Sequence, residues 1–412
     1  MIEQERSMGC LSGKRVLFLT NLVPYPLDNG GKIKTSCSLR VLSQAGAAID
    51  LVAFNEDDLE SVVRAAEYYQ ALGVDCHFVE GKLTTANNVS YMLRQAAKSL
   101  ISPLPFAVYK YRNRKMRRTV KEITENSEFD LVYIDHLQMA VFLDDVRSNS
   151  PIVLDEHNCE TELSRQRYES SANAAKSLFL RIEYKKMAAF ESKVLNRVDE
   201  VIVLSDQDRT RLRDLAPNAS YSIVPIGVQD NGLKKYRHQR NPLRLLFLGT
   251  MSWQPNAEGI GWFIENVLPQ LSNAELVIAG KGISERLRAM AETAGATVLG
   301  YVDSVSEVYD SCDVMIVPLF MGSGQRVKIL EAFSKGMPVV STSVGIEGID
   351  YMGSRAALVA NSENQFRQSI EQLSDSELYR QASRDSRTVF EQAYSYDAVA
   401  KLLRDGVVQV VL

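Results

Sequence analysis

The chain has 412 residues, of which 45% are hydrophobic and 24% are charged, and its formal net charge is -4 with a pI near 5.8. This length allows two or three domains with cores of their own, and the charge excludes a general electrostatic attraction to nucleic acid or to an anionic membrane. Five cysteines without a CxxC pair argue against a disulfide scaffold or a structural zinc site, so we expect a reducing, cytoplasmic environment.

The sequence also gives no sign of a membrane-crossing segment. The first fifteen residues lack the apolar core of a signal peptide. No apolar run approaches the roughly eighteen residues that cross a bilayer as a helix. We therefore expect any membrane contact to be peripheral.

Short apolar runs rich in valine, isoleucine and leucine alternate with longer amphipathic segments, a pattern typical of βαβ units and parallel sheets. The predicted strands of the first half are residues 14–20, 49–54, 75–79, 129–135, 151–155, 199–205 and 222–226. Those of the second half are 243–249, 274–280, 296–300, 313–319, 338–342 and 356–360. Between the halves, QDNGLKKYRHQRNP is polar and aperiodic. We predict an α/β protein with two doubly wound, Rossmann-like domains, at 13–228 and 243–392, a linker at 229–242, and a binding cleft between the domains.

Ligands of parallel sheets bind beyond the carboxyl ends of the strands, and the first such place is NLVPYPLDNGGKIKT (21–35). Gly30 and Gly31 precede a predicted helix there. Adjacent glycines let the backbone approach a ligand closely. A flexible turn is the alternative interpretation.

Two histidines follow predicted strands of the first half. His157 lies in VLDEHNCET (153–161), and His136, a weaker candidate, lies in YIDHLQ (133–138). A histidine at this edge can act in catalysis or can be purely structural. The sequence alone leaves both interpretations open.

The second half offers two further strand ends. In FLGTMSWQPNAEGIGWF (247–263), Gly249 predicts a tight turn, and Pro255 with Asn256 suits a helix start. The tryptophans of that stretch could simply pack against the domain core.

The most crowded corner is PLFMGSGQRVKILEAFSKGMPVVST (318–342). Gly322, Ser323 and Gly324 lead into a predicted helix from about Gln325 to Lys335, which Gly336 ends. The helix start favours an anion such as phosphate, and Arg326 and Lys328 add positive charge beside it. Glu331 lies more than a turn further on, where a carboxylate could accept hydroxyl hydrogens. This spacing fits a polyol joined to a diphosphate; a solvated helix after a glycine-rich turn is the alternative.

Together these motifs resemble a glycosyltransferase of the GT-B fold, family 4. The resemblance spans nearly the whole chain and is most specific over residues 313–348. It implies transfer of a sugar from a nucleotide-sugar donor to an acceptor with retention of configuration. It also implies that the C-terminal domain holds the nucleotide, that the N-terminal domain holds much of the acceptor, and that a C-terminal helix at about 393–412 crosses back to the first domain.

The same resemblance implies roles for individual residues. Glu331 would bind the ribose hydroxyls, and His157 would face the donor sugar. Ser323 and Gly324, with Arg326 and Lys328, would hold the diphosphate. Gly30 and Gly31 would approach the donor phosphates or the acceptor, and the loop at Gly300, Tyr301 and Val302 would lie near the base.

The chain departs from the family pattern at two places. Many members carry two glutamates eight positions apart, whereas here Ser323 stands eight positions before Glu331. Many members also have an arginine and a lysine after the first strand of the C-terminal domain, whereas Thr250 to Asn256 contain no basic residue. We expect Arg326 and Lys328 to carry that charge themselves.

We expect a metal-independent reaction with no cofactor other than the nucleotide-sugar substrate. The one Asp-x-Asp pair, Asp206-Gln207-Asp208, is better explained by helix capping. No second carboxylate stands at a spacing that suggests a covalent nucleophile. The working hypothesis is therefore the family's front-face mechanism, in which the leaving phosphate helps to deprotonate the acceptor.

One basic stretch, YKYRNRKMRRTVKE (109–122), carries seven lysines or arginines. It could lie on anionic lipid at the inner face of the membrane or meet a lipid-diphosphate acceptor, and a solvated helix face is the alternative. We expect no nucleic-acid partner, because the basic patch does not extend beyond this segment.

The preferred interpretation is a transferase of cell-surface or exopolysaccharide synthesis, acting on a glycan or lipid-linked acceptor. Two alternatives remain open at this point. One is a GT-B nucleotide-sugar epimerase, which would need more acid and base groups around the sugar. The other is a non-catalytic nucleotide-sugar-binding subunit.

Overall fold

The computed structural model describes residues 9–411 except 57, 82–96, 148, 172, 231, 234–241 and 323. The chain forms two compact units. The first unit consists of Met1–Pro225 with Ala400–Leu412, and the second consists of Ile226–Val399.

The first unit is built on a seven-stranded sheet in which every pairing is parallel. Its strands are β1 (Arg15–Thr20), β2 (Ala48–Asn55), β3 (Val74–Glu80), β4 (Leu131–Asp135), β5 (Ile152–Glu156), β6 (Glu200–Val203) and β7 (Tyr221–Ile223). Their order is β3-β2-β1-β4-β5-β6-β7, so the chain reverses its winding direction between β1 and β4. Such strands are buried on both faces, which explains their continuous apolar runs.

Helices cover both faces of this sheet, as the alternating pattern requires. They are α1 (Gly30–Gln44), α2 (Leu59–Gln70), α3 (Phe106–Tyr109), α4 (Arg114–Asn126), α5 (Glu160–Glu169), α6 (Ala174–Leu195) and α7 (Asp206–Arg213), and a 3-10 helix at Leu137–Asp145 follows β4. Asparagine, aspartate or serine precedes five of these α-helices, as capping preferences predict. The side chain of Asn29, for example, accepts a hydrogen bond from the backbone N–H of Lys32 at the start of α1.

The second unit has a six-stranded sheet that is again parallel throughout. Its strands are β8 (Leu243–Leu248), β9 (Ala274–Ala279), β10 (Thr297–Gly300), β11 (Val314–Val317), β12 (Val339–Ser341) and β13 (Ala357–Val359). The order β10-β9-β8-β11-β12-β13 places the reversal between β8 and β11. The flanking helices are α8 (Gln254–Asn266), α9 (Glu285–Thr293), α10 (Val305–Ser311), α11 (Val327–Ser334), α12 (Glu363–Gln372) and α13 (Ser376–Val389), with a 3-10 turn at Leu268–Gln270.

The C-terminal segment contains a π-helical turn at Phe390–Tyr394 and then α14 (Tyr396–Val411). The last residues of α14 belong to the first unit, where Gly406 lies close to Ser222 of β7: a Cβ atom on this glycine would stand 3.1 Å from the serine hydroxyl oxygen. A larger residue would therefore crowd this contact.

The predicted fold class is confirmed. Each strand in the described part of the chain begins and ends within two residues of a predicted strand, except that β7 ends three residues before its predicted end. Six of the described strands are two or three residues shorter than predicted: β4, β6, β7, β11, β12 and β13. Most of the predicted linker, residues 231 and 234–241, lies outside the described residues. No helix in the part of the chain that the structure describes is both long and apolar enough to cross a membrane.

Candidate active site

The carboxyl ends of β1 and β4 meet at the reversal point of the first sheet, where a doubly wound sheet opens a crevice for ligands. Thr20 ends β1 and Asp135 ends β4. The Thr20 hydroxyl donates a hydrogen bond of 2.6 Å to Asp135 Oδ2, and the Thr35 hydroxyl of α1 donates a second of 2.8 Å to the same oxygen. Asp135 is fully buried, so these bonds offset part of its desolvation.

Asp135 also holds two histidine rings. His136 Nδ1 lies 2.8 Å from Asp135 Oδ2, and His157 Nε2 lies 2.8 Å from Asp135 Oδ1. The two rings lie 3.7 Å apart between centroids, with planes inclined by 33°. The structure therefore places the weaker sequence candidate, His136, directly against the preferred one, His157.

The two histidines differ in their proton affinity. Burial by itself raises the pKa of Asp135, but the charges of both histidines outweigh it and hold that pKa well below its usual range. Burial lowers the pKa of His136, but the adjacent Asp135 carboxylate reverses this, and the pKa stands above its ordinary value. Burial and the neighbouring His136 leave the pKa of His157 lowered. His136 therefore keeps its proton to a higher pH than His157 does.

His136 presents its second ring nitrogen toward the start of α1. Its backbone has φ 74°, a left-handed conformation that is uncommon for a residue with a side chain. A Cβ atom on Gly31 would lie 3.7 Å from His136 Nε2, so the glycine leaves this nitrogen accessible. Gly30 is the first residue of the same helix. The predicted glycine loop and the histidine pair therefore lie together.

A buried ion pair fixes α1 beneath the histidines. Lys34 Nζ lies 2.7 Å from Asp155 Oδ2 of β5, and both side chains are at most 1% exposed. The hydroxyl of Tyr133 also donates to this carboxylate. Removing one partner of such a pair would leave an uncompensated charge in the interior, so the pair locks the register of α1 against the sheet.

Asp135, His136 and His157 are also residue types that bind metal ions, and their ligand atoms lie within 4.8 Å of one another. The hydrogen bonds described above account for both carboxylate oxygens of Asp135 and for one nitrogen of each ring. Metal independence remains a prediction.

In the second unit, three strand-end loops are tied together by backbone hydrogen bonds. Gly249 N–H donates to the carbonyl of Ala279, and Gly280 N–H donates to the carbonyl of Gly300. Gly280 has φ 136°, and a Cβ atom there would lie 1.9 Å from the Gly249 carbonyl oxygen. The structure thus connects the predicted Gly249 and Gly300 through Gly280, a residue that the sequence reasoning missed.

The glycine-rich corner after β11 differs in detail from its prediction. Helix α11 begins at Val327, two residues later than predicted, with Arg326 at the capping position. Gln325 instead accepts a hydrogen bond of 2.9 Å from Ile226 N–H and donates one of 2.6 Å to the Gly348 carbonyl. Two further segments of the unit bind Gln325 in this way, so it is held in the loop rather than in the helix. The predicted end of the helix is correct, since Gly336 has φ 65° just after it.

Arg326 packs its guanidinium over the ring of Trp253, with 5.3 Å between Cζ and the ring centroid. Gly322 has φ 117°, and a Cβ atom on it would lie 2.6 Å from a guanidinium nitrogen and 3.2 Å from the indole. Only glycine leaves space for this stack. Burial lowers the pKa of Arg326, which nevertheless remains a cation at physiological pH.

Lys328 extends from α11 to the carboxyl end of β8, on the other side of the reversal point. Its Nζ donates a hydrogen bond of 2.8 Å to the Leu248 carbonyl and lies 3.3 Å from Asn256 Oδ1. Burial, and then the positive charge of Arg326, lower the pKa of Lys328 to about 7. A lysine whose protonation changes near neutral pH responds strongly to an incoming anion.

Glu331 lies on the next turn of α11 and is partly exposed. Its Oε2 accepts a hydrogen bond of 2.9 Å from the hydroxyl of Tyr309. Burial raises the pKa of Glu331, and this hydrogen bond opposes the shift. Tyr309 is thus a supporting residue that no strand-end motif had indicated.

The remaining predicted residues are placed as follows. Gly324 has φ 82°, and Ser323 beside it lies outside the described residues. At the end of β10, Tyr301 is 71% exposed and Val302 is partly buried.

The Asp-x-Asp pair opens α7 as predicted. The Ser205 hydroxyl accepts a hydrogen bond of 3.1 Å from Asp208 N–H, and Asp206 pairs with Arg209 within the same helix. Both aspartates lie in the first turn of the helix, as expected for residues that open it, but the capping residue is Ser205 and neither aspartate.

Both the sequence and the fold are similar to those of known proteins. Residues 242–376 match the family described as glycosyl transferases group 1. Over 387 residues, the chain is 24% identical to an uncharacterized 44.6 kDa protein in the cps region of Klebsiella pneumoniae, covering 86% of this chain and 90% of that protein.

Several solved structures share the fold. TarM of S. aureus is 11% identical with a TM-score of 0.67, covering 95% of this chain and 98% of TarM. HepE of Anabaena, solved with UDP and glucose, is 12% identical with a TM-score of 0.63, covering 96% and 100%. WaaG, a glycosyltransferase involved in lipopolysaccharide biosynthesis, is 15% identical with a TM-score of 0.62, covering 95% and 99%.

The family match covers β8 to α12, a range that includes Arg326, Lys328 and Glu331. The structural matches extend over both units. Residues 242–376 thus resemble a group 1 glycosyltransferase domain, and the two-unit architecture is that of the GT-B fold.

Proposed function

We propose that the protein transfers a sugar from a nucleotide-diphosphate sugar to a glycan or lipid-linked acceptor, with retention of configuration and without a metal ion. The observation that carries this proposal is the meeting of Arg326 and Lys328 at the reversal point of the second sheet. Two cations beside the start of α11 suit the diphosphate of such a donor. The family match over the same segment and the UDP bound in HepE agree with this assignment.

The mechanism follows from where charge develops. As the bond from sugar to phosphate breaks, negative charge grows on the leaving diphosphate and the anomeric carbon becomes oxocarbenium-like. Preorganised cations at the diphosphate stabilise this state more than the ground state, so they raise the rate and not only the affinity. Arg326 is held by Trp253, and Lys328 by the Leu248 carbonyl, so neither cation needs large reorganisation during the reaction.

Other residues receive roles on the same proposal. Glu331 accepts the ribose hydroxyl hydrogens, and the loop around Gly300 lies near the base. On the first unit, the His136–His157 pair faces the donor sugar, oriented by Asp135. The leaving diphosphate helps to deprotonate the acceptor in a front-face reaction, which retains the configuration.

The first experiment identifies the donor. Thermal-shift measurements with UDP, GDP, ADP and their common sugars should single out one nucleotide, because only one base should fit the pocket. A shift with none of these nucleotides would overturn the proposal. Donor hydrolysis, with and without an acceptor extract, then separates a transferase from a binding subunit, since a pure binder would release no sugar.

The second experiment tests the cations. Arg326→Ala and Lys328→Ala should each lower turnover by about tenfold to a hundredfold, the loss expected for a charge-assisted hydrogen bond. Arg286→Ala, an exposed cation of α9, is the matched control and should leave turnover unchanged. Turnover should also persist in EDTA; loss in EDTA that Mg²⁺ restores would refute metal independence.

We further propose a role in cell-surface or exopolysaccharide synthesis, because the Klebsiella relative belongs to a cps region and WaaG acts in lipopolysaccharide biosynthesis. On this proposal the protein is cytoplasmic and touches the inner face of the membrane through the basic segment 109–122. Fractionation of cells should then recover a salt-sensitive share of the protein with the membranes.

A further inference from the structure

Arg326 lies between a glycine-rich loop and a helix, and neither of them fixes its position. Before it stand Gly322 and Gly324, whose φ angles of 117° and 82° are far more accessible to glycine than to other residues. Arg326 itself occupies the capping position of α11, and a guanidinium has no oxygen that could accept hydrogen bonds from the first N–H groups. Glycines restrict a loop little, so longer-range contacts must hold this corner in place.

Gln325 makes such contacts directly before Arg326. Its Oε1 accepts a hydrogen bond of 2.9 Å from Ile226 N–H, and its Nε2 donates one of 2.6 Å to the Gly348 carbonyl. The side chain is only 9% exposed, so both bonds are shielded from water. Because both partners are backbone groups, the amide ties three separate segments of the second unit together.

Ile226 opens a short stretch, residues 226–230, that we call the connecting segment because the chain enters the second unit there. Val228 N–H donates a hydrogen bond of 2.9 Å to the Tyr394 carbonyl, and Val228 also forms a parallel bridge with Ser395. Both partners belong to the part of the chain that leads back to the first unit. The entering and the returning chain are thus joined within the second unit.

The connecting segment also reaches the other end of α11. Asp230 accepts hydrogen bonds of 2.8 and 2.6 Å from Arg387, whose guanidinium donates another of 2.7 Å to the Ser334 carbonyl. Ser334 is the last residue of α11. The helix is therefore linked to the connecting segment at both ends, through Gln325 at its start and through Arg387 at its end.

We infer that Gln325 is a positioning residue for the transfer reaction: it ties the glycine-rich corner to the connecting segment and thereby holds Arg326 where the diphosphate binds. Backbone groups occupy its buried amide, so it acts through Arg326 and not on the donor itself. This inference rests on the proposed function and adds to it a residue outside the set that contacts the donor.

Thermodynamic linkage makes the inference measurable in two directions. If the bonds of Gln325 favour the position of Arg326 that binds a diphosphate, then a bound diphosphate must favour those bonds by the same factor. A nucleoside, which has no phosphates, should have no such effect. Bonds that served only the stability of the unit would show neither dependence.

The first test compares two ligands of the full chain. Gln325→Met keeps the length of the side chain and loses both amide bonds. It should weaken binding of the preferred nucleoside diphosphate by about tenfold or more, and lower turnover by a similar factor, because a small displacement of a group that stabilises the transition state is costly. Binding of the corresponding nucleoside should change by less than about twofold. An equal loss for both ligands, or no loss for either, would overturn the inference.

Tyr379→Phe is the matched control. The Tyr379 hydroxyl donates a hydrogen bond of 3.1 Å to the Asp313 carbonyl, and the residue is 5% exposed, so this variant also loses a buried bond to the backbone of the second unit. It should lower the melting temperature without changing the ratio of the two dissociation constants. A change of that ratio as large as in Gln325→Met would mean that any loss of stability alters it, and the inference would fail.

Hydrogen exchange in the wild-type chain gives a second test, which needs no variant. Exchange at Ile226 N–H, measured relative to the amides of β9, should slow by about tenfold when the nucleoside diphosphate saturates the protein, and should stay unchanged with the nucleoside. Unchanged exchange with the diphosphate bound would contradict the inference even if Gln325→Met did not fold.

Failure of this inference differs from failure of the proposed function. A wild-type chain that bound none of the nucleotides would overturn both. A wild-type chain that bound a nucleotide and transferred a sugar, with Gln325→Met equal to it in affinity and turnover, would overturn only the role of Gln325.

Discussion

The lowered pKa of Lys328 leads us to predict that the affinity for the donor nucleotide falls as the pH rises above neutrality. In the free protein its pKa is lowered to about 7, first by burial and then by the charge of Arg326. A bound diphosphate brings negative charge next to the ammonium group and should restore the pKa toward its ordinary value of about 10. Binding above pH 7 must therefore take up a proton.

The magnitude follows from that pKa. The fraction of free protein with a protonated Lys328 is about one half at pH 7, about one tenth at pH 8 and about one hundredth at pH 9. The dissociation constant of a nucleoside diphosphate should therefore rise about fivefold from pH 7 to pH 8 and about fiftyfold from pH 7 to pH 9. The latter corresponds to about 2 kcal/mol.

The assay is isothermal titration of the preferred nucleotide from pH 6 to pH 9, in buffers of different ionisation enthalpy. Above pH 7 the apparent enthalpy should vary with the buffer in proportion to the protons taken up, approaching one per site. Lys328→Met should bind more weakly at pH 7 and show a flat profile. The corresponding nucleoside, which has no phosphates, should bind without proton uptake.

Two results would refute this reasoning. A wild-type profile that stays flat from pH 7 to pH 9 would mean that Lys328 keeps its proton in the free protein. A profile with the same slope in Lys328→Met would mean that another group titrates. Arg286→Ala should show the same dependence of the dissociation constant on pH as the wild type. This control shows whether the loss of any one cation changes that dependence.

Three further predictions concern other residues. Asp135→Asn should lower turnover by about tenfold or more in steady-state assays while nucleotide affinity stays unchanged, because the variant loses the charge that orients His157 in the first unit. Glu331→Gln should weaken nucleotide binding by about tenfold in calorimetry, because an amide offers one acceptor oxygen where a carboxylate offers two. In this variant, a 2′-deoxy nucleotide should bind almost as well as the ribonucleotide, because the contact to the ribose hydroxyl is already lost. Gly280→Ala should destabilise the protein by about 3 kcal/mol or more in thermal unfolding, because its Cβ atom would collide with the Gly249 carbonyl.

Hydrophobic periodicity was sufficient to predict the fold. A strand buried on both faces must be apolar throughout, and a helix that covers the sheet must be amphipathic. The alternation of the two patterns along the chain therefore predicts a parallel sheet with helices packed on it. The shorter observed strands β6 and β7 lie at one side of the first sheet, where fewer neighbours extend the hydrogen-bonding ladder. Pattern alone carries no information on where that ladder stops.

The candidate site was predictable only in part. Strand ends and glycine pairs indicated Gly31, His157 and the corner around Arg326, because these signals are local in sequence. Asp135 binds groups from three other segments, and no spacing in the sequence reveals such convergence. Its position at the end of a predicted strand, directly before His136, is the signal that could have found it.

The glycine-rich corner at 318–342 contains the predicted loop and helix, but the helix starts at a different residue from the one predicted. Sequence reasoning placed Gln325 and Arg326 in the first turn of a helix. In the structure, Gln325 is held by the chain at Ile226 and Gly348, which delays the helix and leaves Arg326 at its capping position. The glutamine contacts are long-range, so helix propensity could not have predicted them.

The absence of a basic residue between Thr250 and Asn256 is explained by the position of Lys328. Its ammonium group lies at the Leu248 carbonyl, directly before that loop, so on the proposed function Lys328 supplies from α11 the positive charge that the loop lacks. A second cation in the loop would lower the pKa of Lys328 further and favour its neutral form. Trp253 is compatible with the arrangement because it stacks on Arg326 without adding charge. On the proposed function, Arg326 stacked on Trp253 and Lys328 at the Leu248 carbonyl would therefore hold the diphosphate without a basic residue in the loop after β8.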